Sequence, residues 1–152
     1  MADMRYDLED RLLEYAALIV RLVGELPDTR AGIHVAGQLL RSGTSPLPNH
    51  GEAEAAESRN DFVHKLGICH KELRETRRWL RLIQRVPLIV ESANLDKAIA
   101  ETEELVRIFA ASIRTVRSNA RGSGACHEAP SPYAESIQLP TFNRGYSVAL
   151  ER

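Results

Sequence analysis

Apolar residues recur along this chain at alternating spacings of three and four residues, a period that predicts amphipathic α-helices. Four stretches carry this period. The first predicted helix has its apolar stripe at Leu8, Leu12, Tyr15, Ile19, Leu22 and Leu26. The stripe of the second consists of Ile33, Ala36, Leu40 and Gly43, with Leu39 beside it. Each stripe is expected to face a common core.

The third and fourth predicted helices are longer. The third carries its stripe at Phe62, Leu66, Cys69, Leu73, Thr76, Leu80 and Ile83 and runs to Val86. The fourth carries Leu95, Ile99, Thr102, Val106, Phe109, Ile113 and Val116. Long amphipathic helices joined by short connections bury their stripes economically in an antiparallel bundle. The sequence therefore predicts an all-α, antiparallel up-down four-helix bundle over residues 1–119.

Capping residues mark where these helices begin. Asp28 or Thr29 can accept a hydrogen bond from a first-turn N–H of the second helix. Ser58 opens the third helix in a variant of the capping box. Ser92 or Asn94 can cap the fourth helix in the same way.

Two prolines interrupt the chain after the second helix. Pro46 and Pro48 lack an N–H and crowd the preceding turn, so a helix through residues 45–49 must kink or end there. Both alternatives are open. Nearby polar side chains are expected to bond backbone groups that the prolines leave unpaired, with a ligand site as the alternative. These side chains are Arg41, Ser42, Thr44, Ser45, Asn49 and Glu52.

The helical period ends at Arg121, beyond which glycine and proline punctuate a polar segment. Residues 120–152 are therefore expected to form a flexible tail, disordered or extended. The alternative is that its apolar side chains dock on a partner or on a neighbouring subunit. These are Ile137, Leu139, Phe142 and Tyr146.

Composition adds little to this picture. The 152 residues have a formal net charge of −1, so the whole chain has no overall attraction to nucleic acid or membranes. The amino terminus lacks the order of a secretory signal, and the apolar run over residues 15–20 is too short to span a bilayer. Cys69 and Cys126 do not form a disulfide framework. We expect a cytoplasmic protein with free thiols and no membrane partner.

Candidate catalytic and metal-binding groups are sparse. Asp61 and His64 stand one turn apart, but a carboxylate-bridged metal site needs a second such pair on another helix. Cys69 occupies the core stripe, where a thiol is usually inert. The sequence predicts no catalytic residue, no metal and no cofactor, and therefore no enzyme. A metal or catalytic site around His64, Cys69 and Glu72 is the minority alternative.

The outward face of the third predicted helix is basic. Cations recur there at three- and four-residue spacing, and we name the set Lys71, Arg74, Arg78, Arg81 and Arg85 the basic ridge. Such a row is typical of surfaces that contact phosphates, which give affinity without sequence readout. The alternative is that Glu101, Glu103 and Glu104 of the fourth helix neutralise the last three of these arginines.

A polar and aromatic block in the middle of the chain resembles a known family. It reads Arg41-Ser-Gly-Thr-Ser45, Asn49, Glu52-Ala53, Ser58, Asp61-Phe62, Lys71-Glu72, Glu75-Thr76 and Trp79-Leu80. The block is similar to that of four-helix-bundle proteins that include the intervening-sequence protein of large-subunit ribosomal RNA, over roughly residues 6–118. His50 stands where that family commonly has an aromatic residue. The residues that match the family's motif are Gln38, Arg41, Ser42, Thr44 and Asn49.

The resemblance implies rings of five bundles and an association with RNA. The accessory variability protein of retroelements, to which the chain is also similar, works beside a reverse transcriptase. Independently, Leu13, Ala17, Leu18 and Val20 widen the apolar face of the first helix and favour a homo-oligomer. We expect a non-enzymatic oligomeric adaptor, with RNA or DNA and a reverse transcriptase or ribonucleoprotein as partners. The alternative is a purely structural protein–protein module.

Overall fold

The computed structural model describes residues 8–122, which form five helices. In chain order these are α1 (Leu8–Val23), α2 (Arg30–Thr44), α3 (Pro46–Glu54), α4 (Arg59–Arg85) and α5 (Ala93–Gly122). The predicted all-α class is confirmed for this part of the chain. Residues 1–7 and 123–152 lie outside it, and so do the apolar residues predicted to dock from the tail.

Cross-helix contacts give the direction of each helix, because the residue number falls on one helix as it rises on its neighbour. The contacts Tyr15–Thr102 and Glu25–Ser92 join α1 to α5, and Arg41–Glu72 and His34–Trp79 join α2 to α4. Both pairs of helices are therefore antiparallel. Together α1, α2, α4 and α5 form the predicted up-down bundle.

The proline segment is a kink and not a helix stop. Ser45, between α2 and α3, keeps helical dihedral angles of −58° and −35°. Its N–H donates to Arg41 O at 3.3 Å, and its own carbonyl accepts from Asn49 N at 3.3 Å. Helical bonding therefore continues across the break. The kink turns α3 onto α4, where the Cys69 thiol lies 3.5 Å from Pro46 O.

Hydroxyl caps begin three of the helices. The oxygens of Thr29, Ser58 and Ser92 accept from the N–H groups of Gly32, Asp61 and Leu95, each at 3.1 Å. Of the predicted alternatives Asp28 or Thr29, Thr29 is the cap. Of Ser92 or Asn94, the cap is Ser92. Each such cap typically stabilises a helix by about 1 kcal/mol.

The predicted stripe of α2 is wrong in part. Ile33 and Leu40, assigned to the core from their spacing, are 60% and 39% exposed. The buried face of α2 instead runs through Val35, Leu39 and Ser42. The core stripes predicted for α1 and α4 are buried almost throughout.

Two glycines explain how α2 is rotated. A Cβ on Gly43 would lie 2.8 Å from Cγ2 of Ile19, and one on Gly32 would lie 2.0 Å from Pro27 O. The bare backbone lets α2 approach α1 closely at Gly43 and lets it approach the connection between the two helices closely at Gly32. The face that contains both glycines therefore turns inward, and Ile33 and Leu40 turn outward.

A layer of hydroxyl groups crosses the middle of the core. Tyr15, Ser42, Thr76 and Thr102 come from α1, α2, α4 and α5, and all four are buried. The Thr102 hydroxyl donates to Ala98 O at 2.6 Å, so the Tyr15 hydroxyl, 2.7 Å away, donates to Thr102. Thr76 Oγ1 lies 3.0 Å from Ser42 Oγ. Each long helix therefore contributes one polar group to the layer, and burial raises the pKa of Tyr15.

We expect the substitution Gly43→Ala to destabilise the bundle by about 1–3 kcal/mol, because the new methyl group would overlap Ile19. Gly67→Ala, in the middle of α4, is the matched control because its Cβ would meet nothing within 4 Å. Alanine's higher helix propensity should make that variant more stable by up to about 1 kcal/mol. Urea unfolding followed by circular dichroism measures both, and equal effects would contradict the proposed packing.

We expect the Cys69 thiol to resist alkylation in the folded protein, because burial raises its pKa to about 12. The test uses a Cys126→Ser background, in which Cys69 is the remaining cysteine of the two in the chain. Labelling at neutral pH should require urea. An unfolded thiol ionises near pH 8.5, so the stability that this neutral thiol confers should be complete below about that pH. It should decline as the pH rises toward 12.

Candidate nucleic-acid interface

All five residues of the basic ridge are exposed on α4. At about 100° per residue, their spacing confines them to an arc of about 80° on the helix surface. The opposite face holds Leu66, Leu73 and Leu80, which are 0–1% exposed. From Lys71 to Arg85 the ridge extends about 21 Å, since an α-helix rises about 1.5 Å per residue.

The glutamates expected to neutralise the ridge have other partners. Glu101 makes a two-point ion pair with Arg11 of α1, at 2.5 and 3.0 Å. Glu103 lies 3.4 Å from Arg77 and Glu104 lies 3.1 Å from Arg107. The expected neutralisation of Arg78, Arg81 and Arg85 by these three acids does not occur in this structure.

Only Lys71 among the ridge residues lies close to a described carboxylate, 3.6 Å from Glu72 Oε1. Within residues 8–122, Arg74, Arg78, Arg81 and Arg85 make no ion pair shorter than 4 Å. Four guanidinium groups therefore present their charge to solvent along one line. Arg78, Arg81 and Arg85 also border one open surface depression.

Arg41 of α2 compensates the two glutamates that α4 carries beside the ridge. Its guanidinium lies 3.3 Å from the buried carboxylate of Glu72 and also pairs with Glu75. The Trp79 indole N–H donates to the same Glu75 oxygen at 3.4 Å, and the ring of His34 packs edge-on against Trp79. These contacts tie both acids to α2, so they do not offset the arginines of the ridge.

The other motif residues lie apart from one another and bond within the chain. Ser42 belongs to the hydroxyl layer, and Thr44 Oγ1 donates to Leu40 O at 2.7 Å. Asn49 Nδ2 donates to Ser45 O at 2.9 Å, and Glu52 accepts from Lys65 at 2.6 Å. Gln38 is half-buried on α2. The structure does not bring these residues together into one pocket.

His50 takes an aromatic role in the core. It is 1% exposed, and its ring meets that of Phe109 at 6.3 Å in a T-shaped contact. Its Nδ1 also lies 4.0 Å from Glu54 of the next turn. The imidazole ring of His50 therefore fills the position where the family that the sequence resembles commonly has an aromatic residue.

Sequence reasoning missed two residues that flank the ridge. Arg77 turns toward α5 to meet Glu103, and His70 is half-buried beside Arg74. Burial, with smaller contributions from Arg74 and Arg77, lowers the pKa of His70. Neither role has a sequence signal, because both depend on which neighbouring helix lies closest.

Other kinds of site find little support in this range. Within residues 8–122, no three His, Cys, Asp or Glu side chains are grouped so as to hold a metal ion. Asp61 and His64, which stand one turn apart, are thus not joined there by a third ligand. None of the helices over the same residues is long and apolar enough to cross a membrane.

The sequence matches the family described as 23S rRNA-intervening sequence protein over residues 7–111. A similar crystal structure is that of a protein of unknown function from the S23 ribosomal protein family of Bacteroides thetaiotaomicron VPI-5482. It is 35% identical to this chain, with a TM-score of 0.65, and the match covers 71% of this chain and 99% of that one. No curated protein matches the chain.

The match over residues 7–111 covers more than half of the chain and agrees with the bundle of α1 to α5. It confirms the resemblance carried by the block from Arg41 to Leu80. Neither description names a reaction. This chain belongs to the 23S rRNA-intervening sequence protein family.

Proposed function

We propose that this protein is a non-enzymatic accessory protein that associates with RNA through the basic ridge of α4. The observation that carries the proposal is a line of four arginines on one helix face without an ion pair in the described chain. The family's description, which names a 23S rRNA intervening sequence, supports RNA as the ligand.

The chemistry of the ridge suits phosphate contacts. A guanidinium group is planar, is charged at all physiological pH values and can donate two parallel hydrogen bonds to phosphate oxygens. Such contacts release condensed counterions. In a plot of the logarithm of the binding constant against the logarithm of the salt concentration, each contact therefore contributes a slope of about −0.7 to −0.9. They read no bases, so the proposed binding is independent of sequence.

A non-enzymatic role agrees with the state of the reactive groups. The Cys69 thiol is buried and has a raised pKa, which disfavours the nucleophilic thiolate. Glu72, another of the three residues in the alternative catalytic or metal site, is paired with Arg41. The protein would therefore act by binding, within the cytoplasm, beside a ribonucleoprotein or a reverse transcriptase.

Assembly into a homo-oligomer is part of the proposal, with the ring of five that the resemblance implies. Two exposed apolar stripes support it. Leu13 and Val20 on α1 are 52% and 53% exposed, and Ile33 and Leu40 on α2 stand at the same seven-residue spacing. Burying these side chains between copies would remove apolar surface from water, and each copy would add one ridge to a shared surface.

The second candidate function is a protein–protein module that does not bind nucleic acid. It is favoured by apolar side chains around the carboxyl end of the ridge. Leu82, Val86 and Val90 are 40%, 53% and 90% exposed, and they lie beside or just beyond Arg81 and Arg85. A mixed basic and apolar surface of this kind also fits an acidic protein partner.

We expect the triple substitution Arg74→Glu, Arg78→Glu and Arg81→Glu to weaken binding to a labelled RNA hairpin by more than about tenfold and to reduce the salt slope by about 2–3. Fluorescence anisotropy over a salt series measures both quantities. The matched control Lys97→Glu, Arg114→Glu and Arg117→Glu changes the same charge at exposed positions of α5 and should keep most of the affinity. Equal binding by the wild type and the ridge variant would favour the protein–protein module.

We expect the α1 and α2 stripes to pair with each other between copies. The variants Leu13→Asp/Val20→Asp and Ile33→Asp/Leu40→Asp should each sediment at the monomer mass of 17.0 kDa while the wild type sediments as an oligomer. Mixing the two variants should restore a dimer, because each retains one intact stripe. A dimer formed by either variant alone would show like-with-like pairing, and a monomeric wild type would contradict assembly.

A further inference from the structure

The basic ridge is a rigid line of charge. All five cations project from one uninterrupted helix, α4, whose inner face is buried against its neighbours. Leu66, Leu73 and Leu80 are 0–1% exposed, so the helix cannot bend or rotate to suit a ligand without disrupting the core. The spacing of the cations along about 21 Å is therefore set before any ligand arrives.

The tyrosine, phenylalanine and tryptophan rings of the described chain are engaged away from the ridge. Tyr15, Phe62 and Phe109 are buried in the core. Trp79 is half-buried on the side of α4 that faces α2, where it contacts Glu75 and His34. The ridge face accordingly offers guanidinium and ammonium groups, which bind phosphate oxygens well, and it lacks the broad aromatic platforms on which proteins stack successive unpaired bases.

We propose that the ridge selects double-helical nucleic acid over single strands, an inference that rests on the proposed RNA association. A duplex already holds its phosphates in a stiff array, with about one charge per 1.7 Å of axis, or about 12 along the length of the ridge. Its persistence length of about 150 base pairs means that a segment this short docks without being straightened. A fixed helix backbone and a stiff duplex leave only the arginine and lysine side chains to be ordered on binding.

A single strand would bind at a disadvantage. Its backbone must be drawn out along α4, which costs conformational entropy. Proteins that bind single strands offset that cost by stacking bases on aromatic side chains, each stack contributing about 1–3 kcal/mol. The residues of the ridge supply charge attraction and guanidinium stacking but no aromatic ring. Arginine contacts to phosphate also ignore the sugar and the base, so RNA and DNA duplexes of any sequence should bind alike.

The test compares three labelled probes of equal phosphate number on the full chain by fluorescence anisotropy at physiological salt. The probes are a blunt RNA duplex, the same duplex with a scrambled sequence, and an unstructured uridine single strand. Both duplexes should bind at least about tenfold more tightly than the single strand, and their salt slope should be steeper. The charge-conserving variant Arg78→Lys/Arg81→Lys should retain that preference, and Arg78→Glu/Arg81→Glu should lose it.

The outcomes separate this inference from the function on which it rests. If the single strand binds as tightly as the duplex and the glutamate variant loses both, the ridge binds nucleic acid but duplex selection is wrong. Duplex binding that survives the glutamate variant unchanged would place the duplex elsewhere and also overturn the inference. If the wild type binds none of the probes, the proposed RNA association itself fails.

Discussion

The hydroxyl layer at the centre of the core sets the register of the whole bundle. Tyr15 and Thr102 bond each other, as do Ser42 and Thr76, and these four buried hydroxyls come from four different helices. Apolar side chains tolerate considerable repacking, but a buried hydroxyl that loses its partner costs about 1–3 kcal/mol. Sliding or rotating any one helix would break at least one of these bonds. The layer therefore specifies a single arrangement among the many that apolar contacts alone would allow.

The position of the ridge follows from this layer. Thr76 faces the core, and Arg74 and Arg78 stand two residues to either side, so each lies about 160° around the helix from it. Ser42 faces the core in the same way, which turns the preceding residue, Arg41, toward α4. There Arg41 reaches Glu72 and Glu75. One set of buried hydroxyls thus orients both the exposed arginines and the arginine that occupies the neighbouring acids.

Much of this architecture could be predicted from the sequence, because local signals and the tertiary structure agree. The stripe from Phe62 to Ile83 is long enough that its period is unambiguous, and Ser58 has the residue type and position that a cap requires. The stripe of α2 failed for a physical reason. The close approach at Gly43 depends on Ile19 of another helix. A sequence period does not register that contact.

For the candidate site, the sequence predicts which cations form the ridge but not which ion pairs they make. The cations of the ridge could be recognised because they lie on a helix whose inner face was clear. Whether each of these arginines forms an ion pair could not be predicted, since that depends on which arginine each glutamate of α5 contacts. Glu101 could have turned to α4 but meets Arg11 of α1 instead. Pairings between helices are decided by distances of a few ångströms, and these distances are fixed only once the whole core has packed.

A row of like charges also has an energetic consequence for the free protein. Arg74 with Arg78 and Arg81 with Arg85 are spaced four residues apart, where like charges destabilise a helix by about 0.2–0.5 kcal/mol per pair. Solubility does not require this arrangement, because acids interspersed on the same face would serve as well. Phosphates bound along the ridge would remove the repulsion, so ligand binding and helix stability would be coupled. The unfavourable spacing is tolerated because the buried face of α4 anchors the helix independently of its surface charge.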